Sequence, residues 1–199
     1  MTSTEKGYYH QRAPEYDDFY LGTGLYAARP RPGWKEELEQ LQVVAGSIPA
    51  ANIVDVACGT AFLTRYLPGR VIAMDQSSAM LQIARTRLPE GRALQGDALA
   101  LPFGPLAFDC LAAGHFYGHL REPERIRFLT EARRVARHIL IIDAALREGI
   151  APEQEQERVL NDGSHHSVYK RYFTPAQMVS ELGGGRALYA GRWFVAVWA

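Results

Sequence analysis

Apolar and polar positions follow two periods along this chain of 199 residues. Short apolar runs at residues 52–57, 70–75, 92–96, 106–113 and 138–143 read as strands, most of them buried on both faces. Between them apolar residues recur at three- and four-residue steps, as in Trp34, Leu38, Leu41, Ala45 and Ile48, the mark of an amphipathic helix. The same spacing predicts a helix with Met80, Ala84 and Leu88 inward behind a Ser77 cap. Another follows Pro123, with Ile126, Leu129 and Val135/Ala136 inward. A further helix is expected over residues 60–67, stopped by Pro68-Gly69. Strand and helix alternate, which predicts an α/β, Rossmann-like, doubly wound sheet with right-handed crossovers.

The pattern changes after Asp143. The run Glu153 to Leu160 is polar and predicts a helix, followed by a loop over 161–167. Thr174-Pro175 opens another helix, closed by Gly183-Gly184-Gly185. Two apolar runs around Ala190-Gly191 then predict an antiparallel hairpin, completing a mostly parallel sheet of seven strands.

Ahead of residue 34 the chain is aromatic: Tyr8, Tyr9, Tyr16, Phe19, Tyr20 and Tyr26 crowd among polar residues, broken by Gly22, Gly24, Pro30, Pro32 and Gly33. Such density does not suit a disordered tail. Residues 1–33 are expected either to pack on the outside of the core or to fold as a lid over a ligand; residues 34–199 form the main domain.

Bulk composition narrows the partners. With 22 basic and 22 acidic side chains, net charge is zero, which gives no electrostatic reason to expect nucleic acid or an anionic membrane. The arginines at 121, 125, 127, 133, 134 and 137 are interleaved with acids at helical spacing and read as a solvated helix face. Two cysteines, Cys58 and Cys110, form no disulfide framework, and no signal peptide or spanning run is visible. A cytoplasmic protein acting as monomer or homodimer is the expectation.

The chemistry centres on Asn52 to Phe62, NIVDVACGTAF. A buried strand enters a tight small-residue turn where a ligand can approach the backbone, and Asp55 sits inside the apolar run. A buried carboxylate needs a partner, so Asp55 either bonds the turn or faces a bound cation. Further acids stand at the ends of the next two strands, Asp75 in VIAMDQSSAML and Asp97 in Gly96-Asp97-Ala98, ahead of Leu101-Pro102-Phe103.

These motifs, with FDCLAAGHFYGHL at strand four, resemble the class I S-adenosylmethionine (SAM)-dependent methyltransferases. The likeness is to the small-molecule group typified by ubiquinone and menaquinone biosynthesis enzymes; Tyr16-Asp17 resembles the N-terminal part of the same group. The resemblance implies SAM as cofactor and a small-molecule methyl acceptor. Around the first strand it implies cofactor contacts from Tyr16, Asp55, Ala57, Cys58, Gly59 and Thr60. Asp75 would take the ribose hydroxyls beside Gln76, and Asp97 the adenine amino group. The Ala98 amide would meet a ring nitrogen beside Gly96, Met80 and Leu99 would cover the adenine faces, and Ala113 and Gly114 would close the pocket. The sequence departs from the family at Ala57 and Ala61, where glycine is usual; alanine is expected to forbid a positive φ there. Pro-Gly-Gly before strand five is missing, and no Asn/Asp-Pro-Pro-aromatic motif follows strand four, against nucleobase or glutamine substrates.

The loop after strand four, Gly114 to His119, lies where a transferred methyl would emerge, so His115 and His119 are candidates for general base or acceptor positioning. Their spacing also suits two metal ligands, but no third stands out, and no metal is expected. The segment from Val168 to Phe173 and the pair His165-His166 are candidates for the acceptor side. A nicotinamide-dependent oxidoreductase is the alternative enzyme, disfavoured because the turn lacks G-x-G-x-x-G. A catalytically silent SAM-binding regulator is the alternative without chemistry.

Overall fold

The computed structural model describes residues 3–88 and 92–199, the side chains of residues 3–6 excepted; residues 1–2 of the aromatic leader lie outside the described residues. Five parallel strands form first: β1 (Asn52–Val56), β2 (Arg70–Asp75), β3 (Arg92–Gln95), β4 (Phe108–Gly114) and β5 (Ala136–Ala144). A short ribbon of β6 (Glu153–Val159) and β7 (His165–Arg171) follows, then the hairpin of β8 (Arg186–Ala190) and β9 (Phe194–Trp198). The main sheet has seven strands in the order β3-β2-β1-β4-β5-β9-β8, with β9 antiparallel to β5. The strand order reverses between β1 and β4, and the carboxyl ends of those strands open the crevice where doubly wound sheets take ligands.

Among the described residues six α-helices accompany the strands: α1 (Ser3–Arg12), α2 (Asp18–Leu21), α3 (Trp34–Gly46), α4 (Ser78–Arg87), α5 (Glu122–Val135) and α6 (Pro175–Glu181). Their starts follow local chemistry. The Ser77 hydroxyl accepts from the Met80 amide, Thr174 and Gln177 cap α6 reciprocally, and Pro123 sits in the first turn of α5. The two sheet faces carry separate cores. One packs Phe128, Leu129 and Val135 of α5 on β4 and β5; the other packs Leu38 and Leu41 of α3 with Tyr20, Phe62 and Phe194. Glu37 ties α3 to the hairpin by accepting the Arg192 and Trp193 amides at 2.8 and 2.9 Å. A Cβ at Gly191 would meet that carboxylate at 2.2 Å, so a larger residue there would push Glu37 off the amides it holds.

Several expectations fail for physical reasons, among them the loop over 161–167, whose last three residues begin β7. The helix over 60–67 is a single 3-10 turn, Thr64–Tyr66, because Ala61 takes a left-handed conformation and Pro68 leaves too little chain for a helix to propagate. The run Glu153 to Leu160 is strand rather than helix. Cross-strand pairing with β7 puts Arg171 opposite Glu153 and His165 diagonal to Glu157, and this outweighs the helix propensity of Glu and Gln. Ile126 faces solvent at 61% exposure, the inward positions of α5 being Phe128, Leu129, Ala132 and Val135. The arginine face is not wholly solvated either: Arg125 is 4% exposed and donates to Glu181 and to the Leu120 carbonyl.

Candidate active site

β1 ends in an elbow whose backbone alternates in hand. Ala57, Gly59 and Ala61 have φ of 56°, 55° and 61°, so both alanines adopt the conformation they were expected to forbid. Each costs roughly 1 kcal/mol against glycine, and the surrounding bonds hold them there. The Cys58 amide donates to the Met74 carbonyl at 3.0 Å. The Gly59 amide donates to Asp75 Oδ2 at 2.9 Å and the Ser77 amide to Asp75 Oδ1 at 2.8 Å. Asp75 thus fastens the elbow to the end of β2. Burial raises its pKa, against the three backbone amides of Ser77, Gly59 and Gln76. Of its four lone-pair positions these amides leave one for a ligand hydroxyl.

Asp55 lies one turn deeper, buried, accepting the Thr64 hydroxyl at 2.5 Å. Burial raises its pKa to about 7, the Thr64 bond notwithstanding. It is bonded to a side chain and not to the turn backbone, and no described cation pairs with it.

Above the elbow a cleft of about 670 Å³ opens at the ends of β1, β2 and β3. Its lining brings together Tyr16, Ala57, Gly59, Asp75, Gln76 and Met80 with Gly96, Asp97, Ala98, Leu99 and His115. Tyr9, Met74 and Phe116 complete it and were not foreseen. Gly96 makes room for Met74, whose sulfur would stand 2.6 Å from an added Cβ. Gly59 lies under the Tyr16 ring, 3.3 Å from an added Cβ. Asp55, Cys58, Ala113 and Gly114 line a smaller adjoining cavity that Tyr16 and Ala57 also border. Thr60 lines neither cavity; its hydroxyl is bonded to Asp17 at 2.6 Å.

A second cavity lies beyond, sharing Tyr9, Tyr16 and His115 with the cleft. His115 is therefore at the junction. It is 8% exposed, has φ 53°, and is packed edge-on by the rings of Phe19, Tyr20 and Phe194. Its Nε2 is buried without a hydrogen-bond partner. Burial lowers its pKa to about 4, so the ring is neutral. His119 reaches only the second cavity, its Nδ1 donating to the Tyr169 carbonyl at 2.8 Å, which leaves Nε2 as acceptor. Burial and nearby Lys170 hold it neutral as well. Lys170, also on this wall, donates to Asp143 Oδ1 at 2.5 Å. Asp143 is fully buried, accepts the Gly118 amide at 2.7 Å, and despite burial has a lowered pKa because Lys170 faces it. His165 and His166 are not on this wall. Among the described residues no three metal-ligating side chains cluster, and no helix is long and apolar enough to cross a membrane.

Residues 53–138 match the family model described as a methyltransferase domain. This segment is similar to methyltransferase domains. The chain is 37% identical over 115 residues to a 2-phytyl-1,4-naphtoquinone methyltransferase of Thermosynechococcus vestitus, covering 52% of this chain and 47% of the relative. It is 33% identical over 135 residues to a dTDP-4-amino-2,3,4,6-tetradeoxy-D-glucose N,N-dimethyltransferase of Saccharopolyspora spinosa, covering 64% and 51%. The chain thus spans about half the length of these curated relatives. In three dimensions it is similar to the DhpI-SAM-HEP complex, with TM-score 0.79 and 20% identity over 100% of this chain and 99% of that one. At that identity the likeness is one of fold. The matched segment ends within β5, and the second cavity takes wall from both sides of it: Tyr9 and Phe19 before, Lys170 and Trp193 after.

Proposed function

We propose that the protein transfers a methyl group from SAM to a small-molecule acceptor. The observation that carries this reading is the Asp75–Gly59 elbow beneath a cleft whose far end meets a second cavity at His115. The residues fit the cofactor. Asp55 is a buried acid without a described cation partner, where a ligand ammonium would be welcome. Asp75 keeps one lone-pair position free at the end of β2, Asp97 is exposed just past the end of β3, and Met80 and Leu99 supply apolar faces. The chemistry SAM supplies when bound is an electrophilic methyl group for in-line displacement. The protein contributes position and exclusion of water.

The roles follow from placement. His115, neutral and unpaired, accepts or positions an acceptor proton at the junction; His119, with Nε2 free to accept, orients the acceptor from the far wall. Residues 3–33 act as a lid: Tyr9 and Tyr16 border both cavities, Asp17 bonds Thr60, and Tyr20 stacks on Phe62 at 4.1 Å. A neutral quinone ring, the acceptor named for some of its relatives, is the second reading, favoured by the aromatic walls of Trp34, Tyr172 and Trp193 and set against the charge of the same cavity. We expect a cytoplasmic monomer or homodimer without nucleic-acid partners.

Calorimetry with SAM, its demethylated product SAH and NADPH tests the reading, followed by labelled-methyl transfer to candidate acceptors. Binding of SAM and SAH but not NADPH is expected; absence of SAM and SAH binding overturns it.

A further inference from the structure

The second cavity has a charge pattern that the chain's overall neutrality hides. Its described wall carries Arg12, Arg29, Arg31, Arg147, Arg158 and Lys170, and neither aspartate nor glutamate. These cations converge from α1, from the turn ahead of α3, from the loop after β5, and from the β6–β7 ribbon. Lys170 alone has a carboxylate, Asp143.

The five arginines are ion-paired with none of the described acids. The Arg12 side chain is buried and, among the described residues, donates only to phenols, Tyr8 at 2.6 Å and Tyr26 at 3.0 Å. Arg31 donates to the Phe19 carbonyl and lies 3.9 Å from the centre of the Trp34 ring. Arg147 lies over Trp193 at 4.5 Å. Arg158 donates to Gln156, yet its Nε is buried without a partner. Elsewhere half-buried arginines do find acids: Arg87 pairs with Asp17, Arg134 with Glu131, and Arg171 with Glu153 and Glu181.

Cations gathered in a partly closed cavity repel one another, and a ligand that brings negative charge relieves this. Guanidinium forks match tetrahedral oxyanions with several donors at once. One carboxylate would neutralise a single cation of this set; a phosphoryl-type group offers two charges and three acceptor oxygens. We propose that the second cavity binds an acceptor through a doubly charged phosphoryl or phosphonyl group held by Arg12, Arg31, Arg147 and Arg158. Its role as acceptor rests on the methyl-transfer reading above; its charge does not. The aromatic rings beneath Arg31 and Arg147 hold the forks flat, and Gln154 and Gln156 add neutral polar groups to the same wall.

The test is calorimetry on the full chain saturated with SAH, titrated separately with ethylphosphonate, ethyl phosphate, diethyl ethylphosphonate and a neutral naphthoquinol. At least one of the two anions is expected to bind, at least tenfold tighter than the uncharged diester, and their ratio tells phosphonate from phosphate ester. Arg147→Gln and Arg158→Gln should each weaken that binding at least fivefold while leaving SAH affinity unchanged. Equal affinity for the diester, or binding of the naphthoquinol and neither anion, would overturn the proposal. Anion binding by a chain that does not bind SAH would keep the oxyanion site and remove methyl transfer.

Discussion

The Thr60 hydroxyl donates to Asp17 at 2.6 Å, and Arg87 grips the same carboxylate while its second nitrogen donates to the Thr60 carbonyl at 3.0 Å. One residue of the elbow is thereby riveted to the aromatic leader and to the end of α4. Asp17→Ala breaks both attachments and leaves Arg87 half-buried without its acid. A charge-assisted bond of this kind contributes about 1.5–3 kcal/mol. SAM affinity is expected to fall roughly tenfold, equivalent to about 1.4 kcal/mol, and amide exchange over residues 8–26 to rise. Unchanged exchange would detach the leader from cofactor binding.

Asp75 supports the elbow whether or not it meets a ribose. Asp75→Ala frees the Gly59 and Ser77 amides and is expected to weaken SAM binding at least tenfold, with a lowered melting temperature. Asp75→Asn separates the roles: it keeps an acceptor oxygen for one amide but loses the charge. Affinity close to wild type in Asp75→Asn would confine Asp75 to holding the backbone.

Ala57 pays for its positive φ. Glycine there has no Cβ to strain, and residues with Cβ at such φ lose more than glycine's entropy costs. Ala57→Gly should stabilise the fold by about 1 kcal/mol, which in a chain of this size is a rise of about 2–4 °C in melting temperature. Thermal unfolding measures it, and a fall would mean that the elbow is unstrained.

Asp55 makes stability depend on pH. Its ordinary value is 3.8 and its folded value is about 7. Between the two, the folded state holds a proton that the unfolded chain has released, so its contribution falls as pH rises from about 4 to about 7 and is flat above. Melting temperatures of wild type and Asp55→Asn without ligand should therefore diverge: the wild type loses several degrees relative to the variant between pH 5 and pH 8. Parallel curves would place the Asp55 pKa near its ordinary value.

The two histidines divide by position. His119→Ala is expected to spare SAM affinity and cut turnover at least tenfold. His115→Ala should do the same and also loosen the Phe19, Tyr20 and Phe194 rings packed on it, seen as a lower melting temperature. Unchanged turnover in His119→Ala would return it to a loop residue that bonds Tyr169.

The parallel strands, the elbow after Val56, the acids at 55, 75 and 97, and the C-terminal hairpin were all legible, because each depends on residues close together in the chain. Buried parallel strands need unbroken apolar runs, and helix starts need a cap or a proline within a turn. The polar run at 153–159 misled because its glutamates and glutamines favour a helix in isolation. Only pairing with His165 to Arg171 makes it a strand, although its alternate Glu and Gln or Arg positions already carried the period of two.

Sequence by itself determined the doubly wound scaffold and named most of the residues that line the cleft above the elbow. Tertiary structure alone decided that Ala57 and Ala61 turn left-handed, since surrounding hydrogen bonds impose a conformation that local preference opposes. It alone pooled six cations, from Arg12 to Lys170, around one cavity of a chain with no net charge. Charge adds up through space, and arginines more than a hundred residues apart reveal a shared field only once the fold has brought them to the same wall.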